Sequence, residues 1–424
     1  MTIAADPWKE LFVGSLVEAA PDVDGFIARQ RRANAESVNL VASESYCPRA
    51  TLEAEASVLV NKNASGYPPR VSFAGGEVID RIENLALERA KRLFGAEHAN
   101  VQALSSTVAN VAVLRALLAR GERIFAFDRG AGGHSSHGSA RHVSGQDYEV
   151  RWFGVDAQSG RIDYDAAAKA AAEFRPRMII AGSSAYPLRI DFDRLADIAE
   201  GCGAMLFADI AHVSGLIVAG LHPNPTARCD LVTTSTHKTL CGPRTGGLIL
   251  CKSRHAAAID AALAPGLQAA PGAHIIAARA VLFDLVSRPA FGLLMHRVVE
   301  GAQALAEGLA QGGAALYAGG TDTHMVVVDL RRSAWPEAEV NRFLENHGIV
   351  ANTTSLPRRA GDTGILGLRV GSTPMAIRGL SVQGFRDLGK QVAALLGRGP
   401  AGAPDRGVAA RMKALALQHP IPFE

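Results

Sequence analysis

The most suggestive run of side chains is Thr233-Thr234-Ser235-Thr236-His237-Lys238-Thr239-Leu240, which follows a short apolar stretch. A lysine at a strand end, among hydroxyls and an imidazole, can be stripped of water. Desolvation lowers an ammonium pKa, and Schiff-base formation with an aldehyde needs the neutral amine. A solvated lysine opening a loop would show the same string. Upstream, Ala208-Asp209-Ile210-Ala211-His212 ends another apolar stretch. A carboxylate there could pair with a protonated ring nitrogen and keep a pyridinium charged, which makes the ring an electron sink. Asp209 could also cap a following helix, or ligate a metal together with His212. No HExxH or cysteine pair supplies a third ligand, so no metal is expected.

Two further pieces precede these in the chain. Ser105-Ser106-Thr107 stands before a helical pattern, where free N–H groups and the positive end of the helix dipole form a cup for phosphate. Gly132-Gly133-His134 is a glycine-hinged loop presenting an imidazole able to stack on an aromatic ring. Taken singly, His134 and His137 read as structural. In chain order the set gives a phosphate cup, a stacking histidine, a ring-nitrogen aspartate and a Schiff-base lysine. That combination points to a pyridoxal 5'-phosphate site.

Such residues must be held at the ends of strands. Short apolar runs at Arg123–Phe127, Met178–Ala181, Ala204–Ala208, Leu231–Thr234 and Gly247–Leu250 read as buried strands. Helices are expected at Glu77–Phe94, Thr107–Leu118, Tyr164–Phe174 and Phe192–Glu200, the first from apolar residues recurring at three- and four-residue spacing. Alternation of this kind predicts an α/β fold with a mostly parallel sheet covered on both faces and ligands at the strands' carboxyl ends. Beyond residue 290 the texture changes to a long helix, Phe291–Gln311, and a smaller α+β unit. That unit has strands at Met325–Leu330 and Leu366–Val370 and a helix near Ser381–Leu396. Gly397–Asp405 reads as an exposed linker before a last helix. The expected divisions are an N-terminal helical segment (1–35), a large cofactor domain (36–290) and a small C-terminal domain (291–424).

The chain has 424 residues, 48% of them hydrophobic, which is ample for a buried core. Its 44 basic and 41 acidic residues nearly balance, so neither nucleic acid nor membrane is an expected partner. No apolar run of about 18 residues offers a membrane span. The opening MTIAADPWKELF lacks the pattern of a secretory signal. Five cysteines without a CxxC pair fit a reducing, cytoplasmic setting better than a disulfide scaffold.

The strings LVASES (40–45), RAKRLFGAEHANVQ (89–102), GGHSSHGS (132–139), FADIAHVSGLIVAG (207–220), TTSTHKTLCGPR (233–244) and GLRVGSTP (367–374) span most of the chain. Through them the sequence resembles the serine hydroxymethyltransferase family, within the aspartate aminotransferase fold type. The resemblance implies a seven-stranded sheet, a homodimer, and a set of roles. Lys238 would carry the cofactor, Asp209 would hold its ring nitrogen, and His134 would stack on the ring. Ser106 and Thr107 would bind phosphate, with His237 in the same cofactor-binding set. His212 and Ser184 would lie on the phenolic oxygen side. Arg369 would clamp the substrate carboxylate through paired hydrogen bonds, assisted by Ser43.

The departures concern the acceptor side. In the string Asn63-Ala64-Ser65-Gly66-Tyr67-Pro68, Asn63 and Ser65 replace the family's tyrosine and glutamate, and Phe73 replaces a later tyrosine. Ser135, Thr354 and Ala269-Ala270 replace residues the family sets against pterin or phosphate. Serine cannot shuttle protons as a glutamate does, since its hydroxyl has no suitable pKa. The sequence alone therefore favours a folate-independent aldol and retro-aldol enzyme acting on a β-hydroxy-α-amino acid, with an aldehyde as partner. The alternatives are a tetrahydrofolate-dependent serine/glycine hydroxymethyltransferase, or another reaction at Cα such as transamination or racemisation.

Overall fold

A computed structural model describes residues 8, 10–70, 74–244, 246–400 and 405–423. Val71, Ser72 and Phe73, and residues 401–404 of the expected linker, lie outside the described residues. Seven strands form the main sheet, in the order His98–Asn100, Gly247–Cys251, Leu231–Ser235, Met205–Asp209, Met178–Gly182, Arg123–Phe127, Glu149–Phe153. From Leu231–Ser235 to Glu149–Phe153 neighbouring strands are parallel; Gly247–Cys251 runs antiparallel to both of its neighbours.

Side chains alternate across a strand, so each inner strand feeds two cores. Ile124, Ala126, Met178, Ile180 and Phe207 pack on one face with Ala109, Val113 and Leu114 of the helix Ser106–Leu117 and Ile259 and Leu263 of Ala256–Leu263. Phe125, Phe127, Ile179, Ala181 and Ala208 face the other way, against helices that include Glu77–Phe94, Tyr164–Phe174 and Phe192–Cys202. Burial on both faces explains the unbroken apolar runs of Met178–Gly182 and Leu231–Ser235, whose residues are all buried. The five expected strands of this sheet are present within one residue of their predicted ends. Its two outer strands were not predicted: Glu149–Phe153 is largely exposed, and His98–Asn100 is only three residues long.

A second, antiparallel sheet joins Asn352–Ser355, Leu366–Gly371 and Met325–Asp329. The long helix, here Pro289–Gln311, packs along Val382–Gly397 and against Met325–Asp329. The apolar run at residues 38–42 yields only the short strand Val38–Asn39, paired parallel to Ile349–Val350. The helix Pro21–Glu36 reaches the last helix, Arg406–Gln418. Between them the buried Arg378 guanidinium donates to the carbonyls of Asn34, Ala35, Ser37, Ala416 and His419. Among the described residues no helix is long and apolar enough to cross a membrane.

The loop after Arg123–Phe127 turns back tightly. Gly132 has φ +112, and its carbonyl accepts from the backbone N–H of Ser184 and Ala185, tying together the loops that follow two adjacent strands. At Gly133 a Cβ would stand 2.2 Å from the Phe127 carbonyl oxygen, a backbone atom unable to withdraw. Gly133→Ala is therefore expected to destabilise the protein by about 1–3 kcal/mol, the usual range for overpacking. Urea unfolding measures this, and an unchanged midpoint would refute the close approach.

Candidate active site

The parallel strands deliver their functional side chains to one end of the sheet. Asp209 is the last residue of Met205–Asp209, Lys238 stands three residues beyond Leu231–Ser235, Ser184 follows Met178–Gly182, and His134 follows Arg123–Phe127. The antiparallel strand begins at the same end with Gly247, whose backbone lies against the Ser105 carbonyl and brings the N-terminus of the helix Ser106–Leu117 alongside. Ser105 is the helix cap, its Oγ accepting from Val108 N–H at 3.1 Å. Ser106 and Thr107 occupy the first turn, where backbone N–H groups have no partner within the helix.

Asp209 is buried, and its carboxylate is saturated with donors. Oδ2 accepts from His137 Nε2 at 3.0 Å and from Asn110 Nδ2 at 2.8 Å, while Oδ1 accepts from the Ala211 N–H at 3.0 Å. Burial raises a carboxylate's pKa, but here the hydrogen bond from His137 and the electrostatic influence of the imidazoles and Lys238 outweigh it and hold Asp209 below its ordinary range. Asp209 is not the cap of a helix: the next helix, Ser214–Val218, starts from Val213. The groups of His134, His137 and Asp209 lie within 4.8 Å of one another, a spacing that could also hold a metal ion. In that cluster His137 stands where the sequence had offered His212.

Lys238 is held to about 8, principally by burial and further by Arg369 and Arg244, with Asp209 pulling the other way. For His134, burial and the nearby His137 lower the pKa to about 4, so the ring is neutral. Its Nδ1 accepts from the Ser136 N–H at 3.2 Å and lies 2.7 Å from Ser136 Oγ, which assigns the ring proton to Nε2. A ring with its Nδ1 occupied and its Nε2 protonated is suited to stacking and donating, not to abstracting a proton.

His212 is buried and stacks on His324, with ring centroids 5.5 Å apart at 20° and Nδ1 3.4 Å from His324 Nε2. Burial pushes its pKa well down, Lys238 and Arg369 adding to the effect. His237 falls to about 3, through burial and the charges of Lys238 and Arg244, and its Nδ1 is buried without a hydrogen-bond partner. Arg369 reaches across from the antiparallel sheet. Its Nη1 donates to the Ser184 carbonyl at 2.5 Å, and its Nε is buried with no hydrogen-bond partner among the described residues. Ser43 and His237 line a cavity of about 380 Å³ together with Glu44, Glu55 and Arg244. Asn63 and Ser65 are exposed on the surface of the single chain.

Asp209, His134, His212, His237 and Arg369 thus lie within electrostatic reach of Lys238, and the surroundings contain others that sequence reasoning missed. His137 was read as structural yet bonds directly to Asp209. Asn110, Ser136 and Thr233 complete its surroundings, and His324 bridges to Ala42 by donating to its carbonyl at 3.1 Å. Only His137 carried a usable signal, its nearness to His134 in sequence. The donor set fits pyridoxal phosphate. It combines an amine that loses its proton near pH 8, an ionised buried carboxylate, a neutral imidazole, a helix N-terminus and a buried Ser235 Oγ with no hydrogen-bond partner among the described residues.

The lowered lysine pKa has a measurable consequence. Lys238 is protonated below about pH 8 and neutral above it, whereas an ordinary lysine changes near ~10.4. Borohydride trapping of pyridoxal phosphate on cofactor-free protein, followed by peptide mapping, should show Lys238 labelling rising through about pH 8. A rise only near the ordinary lysine value would contradict the burial described.

Comparison with known proteins supplies independent context. The family model described as "Serine hydroxymethyltransferase" matches residues 16–392 of the chain. A serine hydroxymethyltransferase from Mycobacterium avium (strain 104) is 41% identical over 412 residues, which cover 96% of this chain and 96% of that protein.

Proposed function

The chain belongs to the serine hydroxymethyltransferase family of pyridoxal phosphate-dependent transferases, and from that premise we propose that it makes and breaks the Cα–Cβ bond of serine, passing the hydroxymethyl carbon to and from tetrahydrofolate. The observation carrying this reading is the convergence of Lys238, Asp209, His134 and Arg369 at the carboxyl end of one sheet. Pyridoxal phosphate, when bound, spreads the electron pair left at Cα when a bond there breaks.

In this reading the protein's own groups divide the work. Lys238 would hold the cofactor through its amine, and Asp209 would keep a proton on the ring nitrogen. Ser106 and Thr107 would take the phosphate, His212 and Ser184 would serve the phenolic oxygen, and His237 would belong to the same cofactor-binding set. His134 stacks and donates from Nε2. Arg369, with Ser43, orients the amino acid carboxylate. The working protein is a homodimer in the cytoplasm, and a second copy supplies contacts to the exposed segment bearing Asn63 and Ser65.

A second reading has a specific observation behind it. Ser65 and Asn63 stand where the family carries a glutamate and a tyrosine, so the residue expected to pass protons to folate is missing. This favours folate-independent retro-aldol cleavage of a threonine-like, serine-like or α-methylserine-like substrate with release of an aldehyde. Sequence alone ranks this reading first; the match along nearly the whole chain reverses the order.

One assay separates the two. Serine cleavage that requires tetrahydrofolate supports the first reading, and aldehyde release at equal rate without folate replaces it with the second. Lys238→Ala should lose the visible absorbance of bound cofactor. Arg369→Lys should raise KM for the amino acid on the order of tenfold to a hundredfold, as expected when a charged, bidentate hydrogen bond is lost. An unchanged KM would remove Arg369 from the substrate site.

A further inference from the structure

Asn110 lies one turn into the helix Ser106–Leu117 and is fully buried. Its amide bonds to three separate elements. Nδ2 donates to Asp209 Oδ2 and to Ser136 Oγ, each at 2.8 Å, and Oδ1 accepts from Thr233 Oγ1 at 2.6 Å. Those partners belong to the strand Met205–Asp209, the turn Ser135–His137 and the strand Leu231–Ser235.

We infer that Asn110 is a positioning residue for the reaction, holding the Asp209 carboxylate and the His134 imidazole in register, and that Thr233 sets the direction of its amide. The inference rests on the pyridoxal phosphate reading above and deepens it.

The chemistry of the amide carries the argument. Turned over, it would place its oxygen against Asp209 Oδ2 and Ser136 Oγ, opposing acceptor to acceptor and taking a donor from a buried carboxylate. The Thr233 hydroxyl has one proton and spends it on Oδ1, which selects the orientation seen. The effect passes on to His134. Because Ser136 Oγ accepts from Asn110, its own proton is free to point at His134 Nδ1, 2.7 Å away, leaving the ring proton on Nε2. One amide therefore maintains both the ionised state of the group at the ring's edge and the tautomer of the group at its face. Thr233 is itself fully buried in a strand, next to the strand that ends in Asp209, so none of these partners can drift independently.

The test compares Asn110→Leu, Thr233→Val and Thr233→Ser in the full-length protein. Three quantities are read: the dissociation constant for pyridoxal phosphate, the absorption maximum of the bound cofactor with its pH titration, and the nitrogen chemical shifts of His134 in cofactor-free protein. Asn110→Leu should weaken cofactor binding about tenfold or more, as loss of a buried charge-assisted bond implies, and Thr233→Val, which removes a neutral bond, about twofold to tenfold. They should also shift the bound cofactor's titration and mix the His134 tautomers, while Thr233→Ser should restore all three. Should Asn110→Leu fail to fold, Thr233→Val exchanges only a hydroxyl for a methyl and carries the test. Wild-type affinity, spectrum and tautomer in Thr233→Val would overturn the inference, as would equal impairment in Thr233→Ser. A wild-type protein that binds no pyridoxal phosphate would instead overturn the functional reading beneath it.

Discussion

A carboxylate buried at the end of a central strand is a severe constraint on its surroundings. Taking such a charge out of water costs several kcal/mol unless donors and opposite charges replace the lost solvent. Asp209 is answered on both oxygens: His137 and Asn110 reach Oδ2, and the Ala211 N–H reaches Oδ1. Each donor is in turn located by the fold. Asn110 comes from the helix beginning at Ser106, His137 from the glycine-hinged loop, and Ala211 from the turn directly after the strand. Lys238 belongs to the same balance, because its pKa reflects burial pushing down and Asp209 pulling up. The electrostatics of the site and the topology of the sheet are one problem solved together.

Much of this was legible in sequence, and the reason is burial. Strands covered on both faces, such as Leu231–Ser235, appear as compact apolar runs because nearly every position must avoid water. The helix Glu77–Phe94 was read with its observed ends because Ile79, Ala86 and Ala90 keep to one face and Gly95 closes it in the left-handed region. The outer strand Glu149–Phe153 escaped notice because most of its residues meet solvent and leave no such run. Within the site, Lys238 and Asp209 stood out because a charge at the end of an apolar strand is anomalous, and His134 only as a member of the ordered set. Asn110 and Thr233 did not, since a polar residue in a helix or strand gives no sign of which partners lie across the fold. His324 was invisible for the same reason: its meaning comes from Ala42 and His212, both far away in sequence.

The single chain leaves apolar surface in the open. Leu11, Phe12 and Val13 are each about four-fifths exposed, and Phe26, on the helix Pro21–Glu36, is 60% exposed. Apolar surface of this kind suits contact with another protein surface, in keeping with the proposed homodimer. The segment bearing Asn63 and Ser65 is likewise turned outward. Of the described departures from the family pattern, Asn63, Ser65 and Ala269 are exposed and Ser135, Ala270 and Thr354 half-buried, while the groups around Asp209 lie deep in the molecule.

Arg369 donates to the Ser184 carbonyl while its Nε stays buried and without a hydrogen-bond partner. A guanidinium held in this way is half engaged. In the proposed reading, an incoming carboxylate would meet a guanidinium already tied to a neutral carbonyl, with the Nε–H still to be satisfied, and Ser184 would hold its place until then. The carbonyl of Ser184 thus faces Arg369 while its N–H is tied to Gly132, two residues from His134, so one short loop joins the two ends of the site.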